Sequence, residues 1–279
     1  LGGNLSLIGA PGNLIAQSAL QNIGSGFGFF EYAKVGLPML VCGIIYFLTI
    51  GYKFLPNNPN SSEVGSIGEQ RDYSHVPRWK QILSLVVLIA TILGMIFEKQ
   101  TGISLAVAGC IGALVLVITG VLSEKQAYKA IDSQTIFIFG GTLALAKALE
   151  MTGAGKLVAD QVIGMLGNNS SPFMLLVVVF ALSVVMTNFM SNTATVALLV
   201  PVSLSIAAGM GADPRAVLMA TVIGSSCAYA TPIGMPANMM VLSAGGYKFV
   251  DYAKSGIPLI IVSTIVSLIL LPILFPFHP

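Results

Sequence analysis

One nine-residue pattern occurs twice in this chain. Phe30-Glu31-Tyr32-Ala33-Lys34-Val35-Gly36-Leu37-Pro38 leads into one apolar stretch, and Val250-Asp251-Tyr252-Ala253-Lys254-Ser255-Gly256-Ile257-Pro258 leads into another. A matching break lies upstream of each copy: Gly9-Ala10-Pro11-Gly12-Asn13 in the first and Gly234-Met235-Pro236-Ala237-Asn238 in the second. A duplicated unit must fold the same way twice. When each unit is a hydrophobic segment interrupted by Gly and Pro, the pair points to the binding site of a membrane transporter.

Composition agrees with a membrane setting. Of the 279 residues, 55% are hydrophobic and 9% charged, with mean hydropathy +0.88, against about 25% charged in soluble domains. Runs such as Ile103 to Leu122 and Gly256 to Phe277 are long enough for a hydrocarbon core of about 30 Å. The net charge of +2 gives no nucleic-acid footprint. Cys42, Cys110 and Cys227 are scattered in apolar runs without metal spacing and read as packing residues. No signal peptide is present, and the chain opens at Leu1-Gly2-Gly3-Asn4, inside a motif, so a further segment is expected upstream.

The expected fold is an all-α, polytopic membrane protein. Residues 1–56 read as the end of a first repeat, with a half-helix from Pro11 to about Leu20 and a span from Val35 to Phe54. Residues 57–80 hold the longest polar stretch and read as a linker between halves, with a solvated His75. Residues 81–279 read as a second repeat. It opens with spans at Ile82–Phe97 and Ile103–Leu122, a short amphipathic segment at Glu124–Ile131, a span at Gln134–Leu149 and an interfacial helix at Gly153–Leu166. Two apolar segments follow, Pro172–Met190 and Ala194–Ala208, joined only by Ser191-Asn192-Thr193. As one helix they would run about 55 Å, far beyond the hydrocarbon core. The length favours a re-entrant hairpin over 172–208 with its polar tip inside the membrane, tolerated where it lines a protein cavity. A broken helix over 215–242 and a final span over 256–277 complete the chain.

With the linker side taken as inside, 8 of the 13 basic residues fall inside and 5 outside, which places residues 57–80 in the cytoplasm by the positive-inside rule. Five crossings separate Lys34 from Lys254 in this reading. That odd number makes the repeats inverted.

The polar cluster Thr187-Asn188-Phe189-Met190-Ser191-Asn192-Thr193-Ala194-Thr195 carries the strongest local chemistry. Ser191, Asn192 and Thr193 are good caps for a helix beginning at Ala194, and a helix start suits an anion. A helix ending at Met190 offers free carbonyls to a cation. The break from Thr231 to Pro236 repeats the arrangement, with one half-helix ending near Ala230 and the next starting near Pro236. Two helix ends of each polarity meeting at mid-membrane suit a carrier of an anion with Na⁺. Thr221, Ser225 and Ser226 are expected to bond back within their helix, and Asn168 and Asn169 are weak sequon matches. All 11 Asp and Glu residues lie in loops or at span ends, which speaks against a proton relay. No nucleophile–base pair, phosphate loop or metal cluster suggests an enzyme.

These motifs, with Gly245-Gly246-Tyr247-Lys248-Phe249 and Asp251-Tyr252, resemble the divalent anion:sodium symporter family of the ion transporter superfamily, and Gly2-Gly3-Asn4 with Leu7 to Asn13 is similar to that family's first-repeat motif. The resemblance spans the chain. It implies a homodimeric carrier in the plasma or inner membrane, moving di- or tricarboxylates or sulfate with Na⁺ by an elevator-like motion. It implies one Na⁺ site at Thr187, Met190, Asn192 and Gly234, and an anion site at Ser191, Asn192, Thr193, Met235 and Pro236. A second Na⁺ site would use Gly9, with Ala10 and Pro11 facing the anion. The chain departs from the family pattern at Ala10 and Met235, where Thr is frequent, and at Gly12 and Ala237, which replace a second Pro. Sulfate and carboxylate carriers share most of this motif. Other readings on the same fold are a cation/proton antiporter or a metalloid-anion exporter. A reading of another class is a non-transporting membrane subunit.

Overall fold

The computed structural model describes residues 1–55, 76–131, 171–235 and 247–277, with scattered positions between 133 and 164 and Ala237, Asn238 and Val241. The expected linker, the span at Gln134–Leu149, the helix at Gly153–Leu166 and Pro236 lie wholly or largely outside the described residues. Among those described, regular structure is entirely helical, as expected for an integral membrane protein. The helices are α1 (Pro11–Gln21), α2 (Ala33–Thr49), α3 (Arg78–Ile96), α4 (Glu98–Thr101), α5 (Leu105–Ile118), α6 (Glu124–Ala130), α7 (Pro172–Thr187), α8 (Asn192–Met210), α9 (Pro214–Ser225) and α10 (Phe249–Leu274). Of these, α3, α8 and α10 are long and apolar enough to cross a membrane. The chain forms two compact units, residues 68–134 and residues 1–67 with 135–279. Repeats and packing units are thus different divisions of the same chain.

The smaller unit is built on an antiparallel pair. Small residues let α3 and α5 approach: a side chain added at Gly112 would collide with Thr91, and one at Gly109 would press on Met95. Lipid tails are as apolar as Leu, so close packing rather than hydrophobic exclusion holds such a pair. Gly102, in the left-handed conformation at φ +69°, ends the α4 turn, and Ser104 caps α5 through Val107 N–H. At the other end Lys80 Nζ donates to the Gly120 carbonyl at 2.6 Å, a cation on the negative end of α5.

The larger unit is organised around α9. Every residue of α9 from Ala216 to Ser225 is buried, and α9 touches α1, α7, α8 and α10. Gly224 admits α7, since a Cβ there would meet the Phe180 carbonyl and the Ser183 side chain at 2.9 Å. Ser203 on α8 and Thr221 on α9 share a hydrogen bond of 2.9 Å.

The repeated helices α2 and α10 pack antiparallel. Tyr46, late in α2, donates to the carbonyl of Ser255, early in α10, at 2.8 Å, while Ser267, late in α10, meets Met39 of α2. Each copy has its glycine at the same contact: a side chain on Gly36 would strike the Asn4 carbonyl, and one on Gly256 the Tyr229 carbonyl. A further tie joins the halves where α9 begins. Arg215 pairs with Glu31 at 2.5 Å and stacks over Phe27; beside it, within the second repeat, Asp213 N–H donates to the Phe277 carbonyl.

Several helix ends differ from the sequence expectation. Helix α7 stops at Thr187 rather than Met190, because Asn188 turns its amide back onto the Val184 carbonyl at 2.7 Å. Helix α9 stops at Ser225 rather than Ala230, with Ser225 and Ser226 both donating to the Val222 carbonyl. That bonding, and Thr221 onto Val217, matches the expectation for these hydroxyls. Helix α10 starts at Phe249 rather than Gly256, because the Asp251 carboxylate caps Lys248 N–H at 2.8 Å. Helix α2 gives way to a 3-10 turn over Gly51–Phe54.

Replacing Gly256 with alanine is expected to destabilise the larger unit by about 1–3 kcal/mol, as overpacking does. Gly94→Ala, with its nearest neighbour at 3.6 Å, is expected to change little. Thermal unfolding of the purified protein in detergent measures both.

Candidate functional site

Breaking a helix in an apolar environment strands backbone carbonyls without donors. Both breaks here are closed by an asparagine, in the same way. Asn13 donates its amide to the carbonyls of Gly3 at 3.1 Å and Ser6 at 2.9 Å. Asn238 donates to Ala228 at 2.8 Å and Thr231 at 3.0 Å, which are the equivalent positions. The tyrosine of each repeat then donates to the carbonyl of that asparagine: Tyr32 to Asn13 at 3.3 Å and Tyr252 to Asn238 at 2.6 Å. The acid beside each tyrosine caps the residue three before it, Glu31 on Gly28 and Asp251 on Lys248, both at 2.8 Å. The aromatic pairs Phe27–Tyr32 and Tyr247–Tyr252 also correspond. The sequence repeat is therefore a structural repeat in these fastenings.

The second break meets the hairpin formed by α7 and α8. Thr187 Oγ1, the last residue of α7, contacts the Ser225 carbonyl. The side-chain amide of Asn192, the first residue of α8, lies beside both. One of its terminal atoms is 2.8 Å from Thr187 Oγ1, 3.1 Å from the Ser225 carbonyl and 3.2 Å from the Gly234 carbonyl. With nitrogen in that place the amide shares its two protons among these three acceptors. All three partners accept protons, so the nitrogen takes that place; only with the amide turned over do two carbonyls, a hydroxyl and an amide oxygen converge. Such a cluster of hard oxygen atoms, lacking protons for most of its lone pairs, is what a small cation binds. Gly234 makes the approach possible, since a Cβ on it would sit 2.5 Å from the Thr187 carbonyl.

The remaining expected residues fall around this cluster. Met190 closes the turn after α7 through Met186. Ser191 is the N-cap of α8, its hydroxyl accepting Ala194 N–H at 3.2 Å, and Thr193 lies in the first turn. Met235 accepts Asn238 N–H at 3.0 Å. In the first break, Gly9 lies against the Gly3 backbone, Ala10 is the N-cap of α1, and Pro11 opens that helix. Gly12 packs on Val196 of α8, where a Cβ would come within 2.9 Å of its Cγ2. The starts of α1 and α8 therefore lie side by side, and each offers free N–H groups with a partial positive charge.

Thr187, Asn192 and Gly234 are brought together. The Ser225 carbonyl joins them without having been foreseen, as its hydroxyl alone drew attention. Asn13 and Asn238 were also missed as fasteners, although their equal places in the two breaks were visible. Among the described residues, acidic groups gather at helix starts: Asp213 caps α9, and Glu98, Glu124 and Asp251 lie in first turns.

A family model for citrate transporters matches the chain over residues 1–221 and again over 95–278. Among curated proteins, an uncharacterized transporter of Methanocaldococcus jannaschii is 31% identical over 95% of this chain and 60% of its own length. An uncharacterized transporter of Haemophilus influenzae is 28% identical over 95% of this chain and 58% of its own. The sodium-dependent dicarboxylate transporter SdcS of Staphylococcus aureus is 24% identical over 99% of this chain and 56% of its own. The chain thus spans somewhat more than half the length of these relatives.

Asn238→Leu is expected to leave two carbonyls without donors, at about 1–3 kcal/mol for each unpaired group. A lowered unfolding temperature in detergent, matched by Asn13→Leu in the other copy, is the expected result.

Proposed function

The chain belongs to the citrate transporter family, and on that premise we propose that it serves Na⁺-coupled symport of a small divalent anion, a di- or tricarboxylate or sulfate. The observation that carries the reading is the convergence of Thr187 Oγ1, the Asn192 side-chain amide and the carbonyls of Ser225 and Gly234, where a hairpin tip meets a broken helix; the amide would turn its oxygen inward to receive a cation. The cation is cargo, held by neutral oxygens and released when the cluster reopens. Anion binding is assigned to the adjoining helix starts, with Ser191, Asn192, Thr193, Met235 and Pro236 from the second copy and Ala10 and Pro11 from the first. Met190 would add a carbonyl to the cation site, and Gly9 would belong to a second one.

Several features support this assignment. The starts of α1 and α8 lie together at Gly12 and Val196, so the positive ends of helices from both copies face one region. Antiparallel packing of α2 and α10 supports inverted repeats. The name of the Staphylococcus aureus relative supports sodium coupling and a dicarboxylate substrate. In an elevator mechanism the unit bearing the cluster carries the ions, and the α3–α6 unit belongs to the frame. A homodimer is part of the same proposal. A dianion moved electrogenically inward would require at least three Na⁺, each charge worth about 2.3 kcal/mol per 100 mV.

Radiolabelled succinate, citrate and sulfate offered to vesicles holding the intact protein test the proposal. Uptake of one of them is expected in Na⁺ and not in K⁺. Asn192→Ala is expected to abolish that uptake while the protein still inserts. Equal uptake in both salts, or normal uptake by Asn192→Ala, overturns it.

A further inference from the structure

The proposed cation oxygens come from two separate stretches of chain. Thr187 and Asn192 flank the hairpin tip, while Ser225 and Gly234 flank the second break. Neither stretch is helical between its flanking residues, so neither sets the spacing across the gap by itself. Asn188 lies between the first pair, and Cys227, Ala230 and Thr231 lie between the second.

Asn188 bonds to all three. Its amide nitrogen donates to the Cys227 carbonyl at 3.3 Å, besides Val184 of its own helix. Its amide oxygen accepts Ala230 N–H at 3.0 Å. The Thr231 hydroxyl donates to its main-chain carbonyl at 2.6 Å. Both residues are more than nine-tenths buried, at 7% and 6% exposure, so water does not compete for these bonds. Both oxygens of Asn188 already accept a proton, which separates this residue from the oxygen cluster beside it.

We propose that Asn188 and Thr231 form a clasp, a positioning pair that fastens the hairpin tip to the broken helix and so fixes the distances among Thr187, Asn192, Ser225 and Gly234. Neither residue touches the cation. The clasp rests on the cation-site reading above for its effect on transport, but the fastening itself does not.

The test separates the two. Thr231→Val removes the hydroxyl and keeps the shape, and Thr231→Ser keeps the hydroxyl. In Na⁺-driven uptake by the intact protein, Thr231→Val is expected to raise the half-saturating Na⁺ concentration about tenfold, or about 1.4 kcal/mol. Maximal uptake at saturating Na⁺ is expected to stay within about twofold of the parent, and Thr231→Ser to behave like the parent. A loss confined to maximal uptake, or no rescue by serine, overturns the proposal. The second measurement is amide hydrogen exchange in detergent with K⁺ alone. Both Thr231→Val and Asn188→Leu are expected to speed exchange over residues 188–194 and 227–235 together. Loosening of only the substituted segment overturns the clasp. Should the parent show no Na⁺ effect on uptake, the sodium reading fails, and exchange alone decides the clasp.

Discussion

A helix interrupted inside a bilayer leaves carbonyls and amides that water cannot reach, and each must find a partner within the protein. In this molecule the partner is repeatedly a carboxamide. Asn13 and Asn238 donate to two carbonyls each, and Asn188 serves two carbonyls and one N–H. An amide is the one neutral side-chain group that gives two protons and accepts at the same time. It closes a broken backbone without bringing a charge into the apolar interior. The glycines complete the arrangement. Gly9, Gly36, Gly234 and Gly256 each lie where a side chain would collide with a neighbouring backbone, so the breaks can nest against the elements beside them.

The two copies keep the same internal bonds but differ in what surrounds them. Glu31 and Asp251 cap equivalent turns, yet Glu31 also binds Arg215 of the other copy. The first copy places a buried Asn4 where the second has a half-buried Tyr229. A shared scaffold with unequal surroundings is what duplication followed by divergence leaves behind.

Much of this was legible in the sequence. Gly and Pro mark the breaks, Pro11 opens α1, the Ser-Asn-Thr join holds the cap of α8, although that helix starts at Asn192 rather than Ala194, and the combined length favours a turn between α7 and α8. The ends of α7 and α9 were not legible. Local bonds turn both ends, Asn188 onto Val184 and Ser225 and Ser226 onto Val222. Asn188 also holds Cys227 and Ala230, about forty positions away, and that long-range bonding leaves no mark in the local sequence. Backbone ligands are harder still, because a carbonyl such as that of Ser225 has no residue signature. Comparing the breaks position by position singles out Asn13 with Asn238 and Tyr32 with Tyr252, and these pairs make the same bonds.

The antiparallel packing of α2 against α10 has a consequence for energetics. Two related helices laid head to tail form a pair that looks alike from either end, so neither end is the natural front. In the proposed carrier, no uphill direction is then written into the backbone. Work must come from the ion gradient, and reversing that gradient reverses the flow. The Glu31–Arg215 bond breaks this likeness at one end, so the protein's own preference for one side over the other is to be sought there.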